Sequence, residues 1–238
     1  MTAKKRLDPI SDLITLSLKE NDCAFIYFGW AGILLKANQR IIAFDLCAYD
    51  NILLKKKNVE KITTLDLQFN SHIHRDHFIP GSTKQLFHQT GAKIIANPQI
   101  FEELKNEIPN EFLFSAIPNK PITVGDFTVN SIEGIHLSPI SVFHVKWNGL
   151  SVFHGADSDY VPLENYQADL AFIPTGYPSP SCSPEKGVKM VLDIKPTIVV
   201  AIHGKKAEMG KFKALVTKEI PDTEVVIPEK NELIKLTF

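Results

Sequence analysis

A short segment of the chain carries four side chains of the types that bind transition metals. His72, His74, Asp76 and His77 lie close together in the 238-residue sequence. Side chains two positions apart point the same way on an extended segment, so His72 and His74 can converge on one ion. Asp76 and His77 follow at a predicted turn and can face a second ion beside the first. Because imidazole and carboxylate groups together suit zinc and its neighbours, the segment predicts a dinuclear metal site.

Three later residues are candidates to complete both coordination spheres, because each follows a predicted strand. His136 ends the run Phe127–Ile135, and His203 ends the apolar run Thr197–Ile202. Asp157 follows another strand through the tripeptide His-Gly-Ala. Loops at strand ends are held rigidly, which a metal site requires. We therefore predict that these three residues are the remaining ligands.

The elements around these residues predict a single α/β domain over residues 1–238. The first half is rich in short apolar runs, the second alternates strands and helices, and Asn148-Gly149 is a strong hairpin signal. The predicted strands are Ala24–Phe28, Gly32–Leu35, Ile41–Phe44, Leu65–Phe69, Lys93–Ala96, Phe112–Ile117, Ile122–Ile135 with a turn at Gly125-Asp126, Ile140–Trp147, Leu150–Phe153, Asp169–Pro174, Thr197–Ile202, Glu224–Ile227 and Leu233–Leu236. The predicted helices are Asp8–Glu20, within an N-terminal helical extension over residues 1–22, and Ser82–Gln89, Pro98–Ile108, Pro184–Ile194 and Lys206–Lys218. Two sheets with helices outside fit this order best.

Composition and charge narrow the class of protein. The 26 basic and 27 acidic side chains give a formal net charge of −1, which provides no electrostatic footprint for nucleic acid or anionic membrane. Three widely spaced cysteines argue against a disulfide framework. The N-terminal segment lacks the apolar core of a secretory signal, and no stretch approaches the ~20 apolar residues of a membrane span. We predict a cytoplasmic protein without membrane or nucleic-acid partners, and a homo-oligomer is compatible with these features.

The order and type of the candidate ligands resemble the metallo-β-lactamase superfamily. The signature His-x-His-x-Asp-His matches in full at residues 72–77, and the resemblance runs from about Ala24 to about Gly204. It implies a four-layer αββα sandwich of two mixed β-sheets flanked by helices, with the site at one end of both sheets. It also implies a ligand set for each metal: His72, His74 and His136 for the first, Asp76, His77 and His203 for the second, and Asp157 as the bridge.

In its lack of long insertions, the chain is similar to a small branch of that superfamily, which includes ascorbate-6-phosphate lactonase-like proteins. One position departs from the pattern, because Trp30 stands where related small members often carry a histidine. The pocket is expected to depend on the loops around Trp30, Ile79 and Tyr177–Cys182.

The resemblance implies a mechanism in which two metals bridge a hydroxide and polarise the oxygen of the bond under attack. Asp76 is the predicted catalytic residue, which orients the hydroxide or shuttles its proton. Asp45 either accepts a hydrogen bond from a metal-binding histidine or caps a turn. His154 and Asp159 either support the ligands or fill polar surface nearby. Lys205 either meets an anionic substrate or is solvated.

Three functions are open at this point. The leading hypothesis is a hydrolase of an ester, lactone or phosphodiester bond in a small-molecule substrate, anionic or neutral. It would hold two divalent ions, zinc first, with manganese, nickel or iron as alternatives. The second hypothesis is a mononuclear iron oxidoreductase on the same fold, which needs only the first ligand set. The third is a nucleic-acid processing nuclease, which the balanced charge and the absence of an RNA-binding arm disfavour.

Overall fold

The structure, a computed structural model, describes residues 8–47, 56–179 and 182–238. The first sheet has the strand order β14-β1-β2-β3-β4-β5-β6. Its strands are β1 (Asp22–Gly29), β2 (Gly32–Ala37), β3 (Arg40–Phe44), β4 (Leu67–Asn70), β5 (Lys93–Ala96), β6 (Leu113–Ser115) and β14 (Leu233–Thr237). The pairs from β14 to β3 are antiparallel, and the pairs from β3 to β6 are parallel. The sheet is therefore mixed.

The second sheet is also mixed and has the order β13-β12-β11-β10-β9-β8-β7. Its strands are β7 (Ile122–Val124), β8 (Phe127–Glu133), β9 (Ser141–Trp147), β10 (Leu150–His154), β11 (Leu170–Pro174), β12 (Ile198–Ile202) and β13 (Glu224–Val226). The pairs from β7 to β10 are antiparallel, and those from β10 to β13 are parallel. The predicted hairpin at Asn148-Gly149 is confirmed as the turn between β9 and β10.

Helices cover the outer face of each sheet. The described helices are α1 (Pro9–Thr15), α2 (Lys56–Val59), α3 (Pro80–Thr90), α4 (Pro98–Leu104), α5 (Pro184–Ile194) and α6 (Lys206–Glu219). α1 packs on β1 and β14 and α4 on β5 and β6, whereas α5 packs on β11 and α6 on β12 and β13. The predicted αββα sandwich is confirmed. None of the described helices has the length and apolar composition needed to cross a bilayer.

The main core lies between the two sheets. Phe25 and Phe172 meet across it edge to face at 5.4 Å, and Phe69 and Phe143 meet at 5.1 Å. Each of these rings is fully buried, and burying such a side chain contributes about 1.5–3 kcal/mol. Because helices cover the outer faces as well, the central strands are buried on both sides. They therefore appear in the sequence as nearly continuous apolar runs.

The N-terminal helix is shorter than predicted. α1 ends at Thr15 and the next strand begins at Asp22, so the predicted helix to Glu20 is wrong in its second half. Lys36 Nζ donates a hydrogen bond to the carbonyl of Ile14, and Leu16 adopts an extended conformation. The Lys36 side chain thus satisfies the free carbonyl of Ile14 at the end of α1, and the chain turns towards β1 instead of continuing the helix. Residues 1–7 of the predicted extension lie outside the described part of the chain.

The sheet topology brings several strand ends to one edge of the sandwich. β3 and β4 are parallel neighbours in the first sheet, and β10, β11 and β12 are parallel neighbours in the second. Parallel neighbours end on the same edge, so the loops that follow them meet there. Those loops carry Asp45, the segment 71–77, Asp157 and His203, and the loop after β8 adds His136.

Candidate metal centre

Two groups of three side chains face each other where these loops meet. Within each group, one potential ligand atom from every residue lies within 4.8 Å of the others. The first group is His72, His74 and His136, and the second is Asp76, His77 and His203. In the first, His74 Nδ1 lies 3.2 Å from His136 Nε2. In the second, His77 Nε2 lies 3.2 Å from His203 Nε2. The structure thus brings together the residues that the sequence pattern selected.

Asp157 lies between the two groups and faces both. Its Oδ2 atom is 3.5 Å from His136 Nε2 in the first group and 3.5 Å from His203 Nε2 in the second. Its Oδ1 atom is 3.7 Å from His72 Nε2, and Oδ2 is 3.8 Å from His77 Nε2. One carboxylate therefore has both groups within reach of a shared pair of ions.

The geometry and chemistry of these atoms fit transition-metal ions. Two nitrogens bound at ~2.0–2.1 Å to one tetrahedral zinc lie about 3.4 Å apart, close to the separations seen here. Among the described residues, neither His72 Nε2 nor Asp157 Oδ1 has a hydrogen-bond partner, although both atoms are buried. A buried polar atom without a partner costs free energy unless something binds it. The donor set, with nitrogen and carboxylate oxygen but no thiolate, suits zinc, manganese or iron.

Burial holds several of these imidazoles in the neutral form that binds metal. Removal from water, followed by repulsion from His77 and other histidines, strongly lowers the pKa of His72. Burial and then His74 and His77 lower the pKa of His136 to about 4. The pKa of His203 is also lowered well below its usual value, chiefly by burial. Because a protonated imidazole cannot coordinate a cation, these shifts favour metal binding at neutral pH.

His77 and Asp157 shift in the opposite sense. Burial lowers the pKa of His77, but the carboxylates of Asp157, Asp45 and Asp76 outweigh burial and raise that pKa to about 9. Burial raises the pKa of Asp157 to about 6, against the opposing attraction of His77. Without a cation, the centre thus keeps one proton on an imidazole among carboxylates. A divalent ion would supply that positive charge instead and favour both ligands in their deprotonated forms.

Asp45 orients two of the histidines. Its Oδ2 atom lies 2.8 Å from His77 Nδ1 and accepts a hydrogen bond from Ser71 Oγ at 2.6 Å, and Oδ1 accepts from Ser71 N at 2.8 Å. The hydroxyl oxygen of Ser71 lies 3.0 Å from His72 Nδ1. Because that hydroxyl already donates to Asp45, its oxygen accepts a hydrogen bond from the Nδ1–H group of His72. Both imidazoles therefore carry the proton on Nδ1, which leaves each Nε2 lone pair for an ion. Sequence reasoning selected Asp45 but missed Ser71, whose only signal was its position directly before His72.

The loops of the centre hold non-glycine residues in the left-handed region. Trp30, Asp45, Ala156 and His203 have φ values of 50°, 47°, 52° and 47°. Such conformations cost on the order of 1 kcal/mol each and persist where the surroundings enforce them. Here Asp45 N donates to Phe69 O at 2.9 Å, and His203 N donates to Trp30 O at 2.9 Å. These hydrogen bonds position two loops whose side chains face the centre.

The other predicted candidates lie close by but contact different groups. His154 Nε2 donates to the carbonyl of Ala31 at 2.9 Å, and its ring stacks on Phe44 at 4.4 Å. Asp159 forms an ion pair with Lys186 at 2.6 Å and accepts a hydrogen bond from Tyr160 N at 2.6 Å, and it is not a member of either ligand group. His154 thus supports the loop that contains Trp30, and Asp159 belongs to a separate contact.

Aromatic and basic side chains flank His203. Lys205 Nζ lies 4.1 Å from the centre of the Tyr177 ring, and Lys230 Nζ lies 5.5 Å from the centre of the Trp30 ring. The Trp30 ring in turn lies 5.7 Å from the His203 ring. Lys230 was missed by sequence reasoning, because it lies far along the chain from every ligand. In the loop Tyr177–Cys182, residues 180 and 181 lie outside the described part of the chain.

Comparison with known proteins identifies the fold. No protein-family profile matches the sequence, and no curated protein matches it significantly. Among solved structures, the chain is similar to Igni18, a metallo hydrolase from the hyperthermophilic archaeon Ignicoccus hospitalis. The TM-score is 0.77 at 19% identity, over 91% of this chain and 99% of that one.

Two further structures carry the same fold. One is the metallo-beta-lactamase fold protein YhfI from Bacillus subtilis, with a TM-score of 0.67 at 15% identity over 90% of this chain and 99% of that one. The other is CmlA, a diiron beta-hydroxylase from Streptomyces venezuelae, with a TM-score of 0.69 at 12% identity. That match covers 94% of this chain and 55% of CmlA. These similarities show that this chain has the metallo-β-lactamase fold.

Proposed function

We propose that the chain is a metal-dependent hydrolase of the metallo-β-lactamase superfamily, which cleaves an ester, lactone or phosphodiester bond in a small-molecule substrate. One observation carries the proposal: the carboxylate of Asp157 lies 3.5 Å from a histidine of each ligand group. A single ion would need only one of those groups. The arrangement therefore supports two divalent ions, zinc first, held side by side. We also propose that the chain belongs to the lactonase-like branch of the superfamily, because it lacks long insertions.

The residues divide their work as follows. His72, His74 and His136 would hold one ion, Asp76, His77 and His203 the other, and Asp157 would bind both. When bound, such ions lower the pKa of water towards neutrality and polarise the carbonyl or phosphoryl oxygen under attack. Asp45 and Ser71 keep the imidazoles of His72 and His77 in the tautomer that can bind.

Asp76 is the ligand best placed to move a proton. Its side chain is 29% exposed, whereas the Asp157 side chain is 5% exposed and the His77 side chain is fully buried. Its Oδ2 atom lies 3.8 Å from His77 Nε2, so it belongs to the second group while still reaching solvent. We assign Asp76 the role of accepting a proton from the attacking water and passing it to the leaving group.

An iron oxidoreductase is the second candidate, because CmlA, a diiron beta-hydroxylase, has the same fold. The two candidates differ in metal and in chemistry. Metal content of the purified protein, measured by plasma mass spectrometry, should give about two zinc or manganese ions per chain. Iron together with oxygen uptake, and no turnover of any hydrolysable substrate, would favour the oxidoreductase.

The decisive variant is Asp157→Ala, assayed on bis(p-nitrophenyl) phosphate and on a panel of lactones and p-nitrophenyl esters. We expect loss of at least one ion per chain and of the hydrolysis that wild-type protein shows. Asp159→Ala is the matched control, because that carboxylate pairs with Lys186 outside both ligand groups. Unchanged turnover in Asp157→Ala would refute the proposed function.

A further inference from the structure

The surroundings of the two ligand groups differ in polarity. Exposed apolar side chains lie next to ligands of the first group along the chain: Ile73, between His72 and His74, is 41% exposed, and Leu137, directly after His136, is 81% exposed. Exposed apolar side chains that lie together, unlike scattered ones, mark a binding surface. The loops that carry the first group therefore also present exposed apolar side chains.

The side of the second group is basic. Lys205 and Lys230 are exposed, and each lies over an aromatic ring, Tyr177 and Trp30 respectively. The backbone of His203 ties both rings to the centre. Its N–H donates to Trp30 O at 2.9 Å, and its carbonyl accepts a hydrogen bond from the N–H of Gly176, the residue before Tyr177, at 2.9 Å. Both lysine–aromatic pairs thus belong to segments that are hydrogen-bonded to the backbone of one candidate ligand.

The charges of both lysines are unpaired among the described residues. Their sequence neighbours, Lys206 and Glu229, form an ion pair with each other at 2.6 Å, which also shows that the two segments lie side by side. Glu208, another nearby carboxylate, accepts hydrogen bonds from the backbone N–H groups of Lys205 and Tyr177. No described carboxylate therefore forms an ion pair with Lys205 or Lys230. Lysines held over aromatic rings keep their ammonium groups in a limited region, where they can meet an anion.

We propose that the substrate is an amphiphilic anion, whose apolar part lies on Ile73 and Leu137 and whose anionic group lies between Lys205 and Lys230. This inference rests on the proposed function, because it assumes that the ligand groups are the reaction centre. It narrows the substrate class from any ester, lactone or phosphodiester to one with an apolar chain and a separate acidic group.

Calorimetric titration of the purified, metal-containing protein tests the proposal without turnover. The probes are hexane-1-sulfonate, which has both parts, methanesulfonate, which lacks the chain, and hexan-1-ol, which lacks the charge. We expect hexane-1-sulfonate to bind about tenfold more tightly than either of the others. Equal affinity for hexane-1-sulfonate and hexan-1-ol would overturn the anionic part, and equal affinity for the two sulfonates would overturn the apolar part.

Variants locate the binding. Lys205→Met and Lys230→Met should each weaken hexane-1-sulfonate binding by about three- to fivefold, and leave hexan-1-ol binding unchanged. The control is Lys189→Met. Lys189 lies on α5, and it also lies over a tyrosine ring, that of Tyr160. This variant should leave the affinity for both probes unchanged. Binding of the sulfonate that survives the two site substitutions together would refute the proposal.

A second pair tests the apolar side. Leu137→Ser should weaken hexane-1-sulfonate binding and leave methanesulfonate binding unchanged, whereas the control Leu192→Ser, at a 43% exposed leucine of α5, should change neither. A loss equal for both sulfonates in Leu137→Ser would contradict the placement of the chain. Protein that binds the sulfonate as predicted but hydrolyses no substrate would refute the hydrolase proposal and leave the anion site standing.

Discussion

The two ends of the sandwich contain the same hydrogen-bonding unit with different surroundings. At one end, Asp45 accepts hydrogen bonds from the backbone and hydroxyl of Ser71 at 2.8 and 2.6 Å. At the other, Asp169 accepts from the backbone and hydroxyl of Ser151 at 2.7 and 2.6 Å. Only the first unit is fully buried and continues into histidines. The unit itself is a way to join strands, and it becomes part of a metal centre only where imidazoles meet it.

Backbone strain separates the two ends in the same way. At the Asp169 end, left-handed conformations fall on Asn21, Asn38, Gln39 and Asn148, in turns. Asparagine adopts this conformation at low cost, so three of these four positions need no further support. At the Asp45 end, the same conformation also falls on Trp30 and Ala156, residue types that rarely adopt it. Tertiary hydrogen bonds hold them there, which is typical of functional sites.

A cleft alone does not mark the site. The Asp169 end has a cleft of about 490 Å³, lined by polar turn residues such as Asn21, Gln39 and Asn148. Among the described residues, no group of three histidine, cysteine or carboxylate side chains converges there as metal ligands would. Converging ligand atoms, not volume, distinguish the end that carries chemistry.

The largest difference between the ends should appear in metal affinity. Asp45→Asn keeps the side-chain shape but removes the negative charge that orients His77. We expect metal affinity to fall by about 10- to 100-fold, as for other residues that position a metal ligand. Competition with a fluorescent chelator measures this. Asp169→Asn is the matched control, and an equal loss of affinity in both variants would show that the effect is general destabilisation.

The next effect is a pH dependence of stability at the Asp45 end. Burial lowers the pKa of His154 to about 4, so the folded protein resists protonation of a ring that the unfolded chain protonates near 6.5. Stability from the neutral ring is complete above about pH 6.5 and is lost as pH falls towards 4. At pH 5 the penalty is about 2 kcal/mol.

Urea unfolding at pH 7.5 and pH 5.0 tests this with His154→Gln. The variant should lose less free energy of unfolding than wild-type protein between the two values, because Gln does not titrate. His88→Gln, at an exposed histidine of α3, is the control and should follow wild type. An identical pH dependence of wild-type protein and His154→Gln would contradict the prediction.

The smallest effect concerns two glycines. Gly149 has φ of +80° and open space where a Cβ would lie, so Gly149→Ala should cost about 1 kcal/mol of stability through backbone strain alone. Gly204 has no positive φ, but a Cβ there would collide with the hydroxyl of Thr175. The backbone N–H of Thr175 donates a hydrogen bond to the carbonyl of His203, so this collision would displace a candidate ligand. Gly204→Ala should therefore weaken metal binding, whereas Gly149→Ala should not. Chemical denaturation and chelator competition on both variants separate the two outcomes.

The types and spacing of the candidate ligands, and most of the strands, can be read from the sequence alone. The segment 71–77 and the apolar runs before His136, Asp157 and His203 are local patterns, and local patterns survive folding unchanged. The same patterns favoured two sheets with helices outside, because strands buried on both faces are apolar throughout, whereas the four-layer αββα order was implied by the resemblance to a known superfamily.

Which polar side chains join the candidate centre depends on contacts between distant parts of the chain. Asp45 contacts His77 because β3 and β4 are parallel neighbours and end at the same edge of the sheet. Asp159 instead forms an ion pair with Lys186 on α5. The hydroxyl of Ser71, at the end of β4, donates a hydrogen bond to Asp45. Lys230 lies in the connection between β13 and β14 and contacts the Trp30 ring. Such contacts depend on long-range pairing and side-chain direction, which no spacing along a chain encodes.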